Sequence, residues 1–299
     1  VSGGFDHLAF DERRGRLFAT ASDQGTVEVV DLGKGAKVLS LTGFVSPHNI
    51  VIRSGRPTIL IVDSEASKSR LIDAATLRTI RDLPLELGAN CTLYDARTNR
   101  LYVTTGGDRV KMAKSTIIAI DPDTGKVLQS AELPSIHLQP IALDPANNRL
   151  FVDMADTNMV AVVDAKTLRL RAQWPVGKAE RNSAIAFDAL HHRLFVIGRR
   201  GFMTVLNADT GAITQTVDVP TDSDDIAFDA ARHRVYVPGG DGLLGVYDVS
   251  RPDQTVEIKR LVTPKGARTG LLISSRRQYI VAAPTDGSNG ASLVVFNTL

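Results

Sequence analysis

The chain has 299 residues, 43% of them apolar, a formal net charge of +2 and one cysteine, Cys91. So small a charge argues against a dedicated nucleic-acid binder, and a lone cysteine leaves no disulfide framework, cysteine-based zinc site or CxxC redox pair. No run approaches the roughly 18 apolar residues of a spanning helix; no signal peptide opens the chain, and a first residue of Val rather than Met points to an upstream segment already removed.

From the N-terminus, Leu8-Ala9-Phe10-Asp11 followed by Arg16-Leu17-Phe18 states a pattern that the rest of the chain repeats. It returns as Leu93-Tyr94-Asp95 before Arg100-Leu101-Tyr102, Ile141-Ala142-Leu143-Asp144 before Arg149-Leu150-Phe151, Ile185-Ala186-Phe187-Asp188 before Arg193-Leu194-Phe195, and Ile226-Ala227-Phe228-Asp229 before Arg234-Val235-Tyr236. Ile50-Val51-Ile52-Arg53 and Leu271-Leu272-Ile273-Ser274 are degenerate copies, which makes seven units with a period in the forties. Self-similarity at that period is the mark of a propeller blade of four antiparallel strands. The reading is therefore all-β, a seven-bladed β-propeller of four-stranded antiparallel blades, forming a single domain over 1–299. The blades fall at about 5–44, 47–85, 88–134, 138–176, 182–220, 224–264 and 268–299. The last has room for three strands, so closure is expected from the N-terminus, with Val1-Ser2-Gly3-Gly4 as the exit of the closing strand.

Third strands end at Asp31, Asp73, Asp121, Asp164, Asn207, Asp248 and Asn297, where a side-chain oxygen can accept backbone N–H bonds of the following turn. The constant spacing of Asp11 to Arg16, Asp95 to Arg100, Asp144 to Arg149, Asp188 to Arg193 and Asp229 to Arg234 predicts a turn-bracing ion pair in each of those blades. The third unit carries a basic insertion, Gly106 to Lys114, that could contact an anionic ligand but is expected to be solvated; Trp174, on a fourth strand, is expected as a packed surface aromatic. His191, His192 and His233 fall in turns and are expected to be exposed.

Blade geometry brings the residues just ahead of every first strand to one mouth of a central channel. In register these are Asp6 and His7, His48 and Asn49, Asn90 and Cys91, Gln139 and Pro140, Ser183 and Ala184, Asp224 and Asp225, and Thr269 and Gly270, with His137, Asn182 and Arg268 nearby. So polar a ring suits a ligand pocket formed by Asp6, His7, His48, Asn49, Asn90, His137, Asp224, Asp225 and Arg268, and Asp6, His7, His48, Asp224 and Asp225 could ligate a divalent metal. Asn90-Cys91-Thr92 also fits a glycosylation sequon.

Arg149-Leu150-Phe151-Val152, Arg100-Leu101-Tyr102-Val103-Thr104 and Thr26-Val27-Glu28-Val29-Val30-Asp31 carry blade motifs of the YVTN-type seven-bladed β-propellers, a large bacterial group that the chain resembles over nearly its whole length. Phe5-Asp6-His7-Leu8-Ala9-Phe10-Asp11 and Gly266-Ala267-Arg268-Thr269 are similar to an exported subgroup. The resemblance implies the fold and a periplasmic or secreted location, but no activity, because most members have none assigned. Two functions are therefore expectations. One is a cell-envelope or secreted binding or scaffold protein that presents the channel mouth to a small molecule or protein partner. The other is a metal-dependent hydrolase or lactonase similar to the gluconolactonase-type propellers. Those enzymes use a Glu, two Asn and an Asp, for which Asp6, Asn49 or Asn90, and Asp224 or Asp225 are available, with no Glu in the ring. A redox cofactor on His7 or His48 finds no attachment motif, and no GxSxG, HExxH or phosphate-binding loop stands in a suitable setting. A monomer is expected, as is usual for propellers of this size.

Overall fold

Two kinds of strand alternate along the chain, and burial explains the difference. Second strands such as Arg149–Met154 are buried on both faces because each lies between two neighbouring sheets, whereas fourth strands such as Ala36–Leu41 are largely exposed. The computed structural model describes residues 3–287 and 290–298. Among the described residues, consecutive strands pair antiparallel into seven sheets, six of four strands and a last one of three. The protein is thus all-β and of the seven-bladed propeller class, its only described helical turns being the 3-10 segments Ser22–Gln24, Asp108–Val110 and Ser274–Arg276. Among the described residues no helix is long and apolar enough to cross a membrane.

The strands of blades 1 to 7 fall within 8–41, 47–84, 92–133, 138–175, 182–218, 227–262 and 269–297. Among the described residues blade 7 has the three strands expected, ending with Ser292–Asn297. Val1 and Ser2 of the expected closing segment lie outside the described residues; the carbonyl of Gly3 accepts the N–H of Thr285 at 2.8 Å.

The chain divides into two compact units, one up to residue 138 together with 285–291, the other 139–284 with 292–299. In the first, Phe18, Val27 and Val29 of blade 1 pack on Ile50, Ile59 and Ile61 of blade 2, and Leu60 and Val62 pack on Leu101 and Val103 of blade 3. In the second, Phe151, Val160 and Trp174 of blade 4 meet Leu194 and Val196 of blade 5, and Phe195 and Ile197 meet Val235 and Val237 of blade 6. Each fully buried aliphatic or aromatic side chain stabilises these contacts by about 1.5–3 kcal/mol. Trp174 departs from expectation: it is 9% exposed, its ring centroid 5.7 Å from that of Phe151. The turn at Gly211 (φ +76°) comes so close that a Cβ there would lie 2.3 Å from the indole, so glycine lets blade 5 cover the ring.

Turn acids do what turn chemistry requires. Oδ1 of Asp31, Asp73, Asp121, Asp164 and Asn207 each accepts backbone N–H groups two and three residues on. The expected Asp–Arg brace forms in blades 4 and 5, Asp144 with Arg149 and Asp188 with Arg193, both at 2.7 Å. Elsewhere a nearer arginine within the turn wins: Asp11 pairs with Arg14, Asp95 with Arg97 and Asp229 with Arg232. Arg16 then binds the carbonyl of Ala75 and Arg234 binds Asp248.

Blade 2 reverses the charge at this position. Arg53, buried where most other blades have Asp, donates to Asp123 (2.7 Å) and Asn99 (2.9 Å) of blade 3 and to Thr58 (3.0 Å). Arg53's hydrogen bond outweighs the opposing effect of burial and holds the Asp123 carboxyl at about 2.

Candidate functional site

In the first unit, the loops leading into blades 1, 2 and 3 converge with the 106–114 insertion. Backbone contacts set Asp6 and His7 in place: Asp6 N–H donates to the carbonyl of Thr20 and His7 N–H to its hydroxyl, both at 2.9 Å. The Thr20 hydroxyl in turn donates to the carbonyl of His48 at 3.2 Å, tying blade 1 to blade 2. His48 is the extra residue of a bulge between Pro47 and Asn49, which takes its side chain out of strand alternation.

His48 is the hub. Its Nδ1 lies 2.6 Å from Oδ2 of Asp6, and its Nε2 lies 3.2 Å from Nη1 of Arg109. A guanidinium only donates, so Nε2 accepts and Nδ1 carries the proton given to Asp6. Arg109 Nη1 also donates to Oδ1 of Asn90 at 3.3 Å, and Asn90 Nδ2 donates to the carbonyl of Leu138. The His7 ring stands edge-on to that of His48, with centroids 5.2 Å apart. Burial disfavours the Asp6 carboxylate, but His7, the His48 hydrogen bond and Arg109 together hold it well below the usual carboxylate range. His137 Nδ1 sits 3.1 Å from the Asp108 carboxylate, next to Arg109 in sequence.

The insertion is exposed at its tip, as expected, yet Arg109 folds back onto His48 and Asn90. Gly107 (φ +85°) makes this possible: a Cβ there would lie 2.4 Å from the Ile136 carbonyl oxygen and 2.6 Å from Oγ of Ser115. Beneath the loop, Asn90, Thr104, Ser115 and His137 line a recess with room for about one water molecule.

Of the residues singled out in sequence, this unit brings together Asp6, His7, His48 and Asn90, with His137 alongside through Asp108. Asn49 is engaged differently, accepting the Thr92 hydroxyl at 2.7 Å. Asn90 of the sequon is buried, and its amide nitrogen is hydrogen-bonded within the fold. Asp6, His7 and His48 each present a donor atom, all within 4.8 Å of one another. An ion there would have to displace one of His48's two ring contacts, Asp6 at Nδ1 or Arg109 at Nε2.

In the second unit, Asp224, Asp225 and Arg268 do gather. Arg199 bridges Asp222 (2.9 Å) and Asp224, while Arg268 reaches Asp222 at 3.3 Å and Asp224 at 3.7 Å. Burial opposes the charge of Arg199, but Asp224 and then Asp222 raise its pKa above the ordinary value. Asp225 accepts the N–H groups of Ile226 (2.9 Å) and Gly270 (3.3 Å). Repulsion between the adjacent carboxylates is thus offset by two arginines and two backbone donors. Of the turn histidines, His192 is exposed as expected; His191 instead tucks against Asp188 at 2.8 Å, its ring 5.9 Å from that of His233.

Arg109, Asp108, Arg199 and Asp222 stand outside the ring of residues that the repeat register picks out. The Gly106-Gly107 pair ahead of Arg109 was the available signal, because two glycines at the root of an insertion mark a sharp, close approach. No protein-family model and no curated protein matches the chain.

Proposed function

We propose that the protein is an exported, YVTN-type propeller that binds an anionic group, a carboxylate or phosphate of a small molecule or protein partner, at the Arg109 loop of its first unit. One observation carries the reading: both of Arg109's hydrogen bonds within the cluster leave from Nη1. Nη2 and Nε therefore remain as a planar pair of donors on an exposed side chain, the geometry that recognises oxyanions bidentately. Asn90 and His48 fix the guanidinium before the ligand arrives, which lowers the ordering cost of binding. The test is calorimetric titration with inorganic phosphate, acetate and an acidic peptide, for the wild type and Arg109→Met. Binding that weakens with salt and falls at least tenfold in Arg109→Met is expected; no heat from the wild type, or equal binding by the variant, would refute the reading.

The three donors of Asp6, His7 and His48 favour a second reading, a metal-dependent hydrolase in which an ion displaces Arg109 and polarises a carbonyl. Metal analysis of the purified protein and turnover of a lactone and ester panel that chelator abolishes would decide for it.

A further inference from the structure

One cross-strand pair recurs at the head of the blades, and its chemistry changes in blade 4. In blade 1 the Thr20 hydroxyl accepts the N–H of His7 at 2.9 Å, and in blade 3 the Thr104 hydroxyl accepts the N–H of Cys91 at 3.1 Å. Counting outward from Asp144 and Arg149, as from Asp11 and Arg16 or Asp95 and Arg100, sets Asp153 opposite Pro140. Proline has no N–H, so the donor that this position offers elsewhere is missing.

Asp153 is completely buried, and neither carboxyl oxygen has a hydrogen-bond partner. The side chain within its reach is Asn182, at the start of blade 5 and equally buried. Asn182 gives Nδ2 to the carbonyl of Met159 at 3.0 Å, and its Oδ1 has no donor. Three acceptor oxygens thus share a buried site: one Nδ2 hydrogen of Asn182 is committed to Met159, the other makes no hydrogen bond to either Asp153 oxygen, and no hydrogen is left for Oδ1 of Asn182. Charges are remote: Asp144, Asp164 and Asp188 lie at the far ends of the neighbouring strands, paired with Arg149, Arg171 and Arg193. Glu180 pairs with Arg200, and Arg181 and Asp156 are exposed.

We propose that Asp153 holds a proton at neutral pH and donates it to Oδ1 of Asn182, forming a buried neutral acid–amide bridge between blades 4 and 5. A proton supplies the missing donor and removes the charge, and so avoids the penalty of an unpaired buried carboxylate. Burial without a compensating charge outweighs the opposing effect of the Asn182 amide and pushes the Asp153 carboxyl well above the ordinary range, in the same sense. With the folded pKa raised, the stabilisation is full below the unfolded value of ~3.9 and is lost as pH rises through the folded one.

The experiment compares wild type, Asp153→Asn and Pro140→Ala by urea unfolding across pH and by infrared spectroscopy. Above about pH 4 the wild-type folded-to-unfolded ratio should fall about tenfold per pH unit relative to Asp153→Asn, whose amide donates at every pH, until the folded pKa is passed. A carboxylic-acid carbonyl band present at neutral pH should vanish in Asp153→Asn. Pro140→Ala restores the N–H and should shrink both the pH dependence and the band; it keeps the proposal testable should Asp153→Asn not fold. Parallel pH profiles without an acid band would overturn the proposal, as would a stoichiometric metal ion lost from Asp153→Asn.

Discussion

The buried arginine of blade 2 makes an asymmetric prediction. The Arg53 side chain is fully buried while its partner Asp123 is 41% exposed, so removing either member leaves the other in a very different place. In Arg53→Met the abandoned carboxylate can hydrate, and the aliphatic stem is replaced in kind. The loss is then a charge-assisted hydrogen bond and two weaker ones, with screening, or about 1–2 kcal/mol. In Asp123→Ala the guanidinium stays buried with only Asn99 and Thr58 as acceptors, and stranding a buried charge costs about 3–5 kcal/mol. The acid limb adds a second check. Asp123 is held at about 2 against an ordinary 3.8, so its contribution is present above the ordinary value and lost as pH falls through the folded one. Nominally that is about 2 kcal/mol, cut to about 1 by solvent screening at this exposure. Urea unfolding of the wild type and both variants, at neutral pH and down to about pH 2, measures each quantity. An Arg53→Met variant as unstable as Asp123→Ala, or one with an unchanged acid limb, would refute the reasoning.

Gly107→Ala should displace the 106–114 loop, because the new methyl meets the Ile136 backbone, which has little freedom to yield. The expected result is loss of the Arg109 to His48 contact, seen as changed imidazole nitrogen shifts, weaker anion binding and a destabilisation of about 1–3 kcal/mol. Trp174→Ala empties the blade 4 to blade 5 core and should cost about 3–5 kcal/mol in chemical denaturation; a surface aromatic would cost well under 1.

Strand order, blade number and turn positions were written in the sequence because their causes are local. A turn acid such as Asp73 bonds N–H groups two and three residues away, and an apolar second strand such as Thr58–Asp63 declares two buried faces whatever covers them. The same register placed Asp6, His7, His48 and Asn90 among the mouth loops, since each stands just ahead of a first strand. What only the tertiary structure decided is which partner each polar group takes. Asp95 had Arg97 and Arg100 within reach along the chain, and the geometry of the folded turn selected Arg97. Arg109 looked like a solvated loop residue until the fold carried it to His48, 61 positions earlier. Asp153 stands where blades 1 and 3 have Thr20 and Thr104, and only the folded structure shows both its oxygens buried without a partner beside Asn182. Backbone preference acts over a few residues and can be read in order; hydrogen-bond partners and burial are set by groups far apart in sequence, competing for the same few ångströms of space.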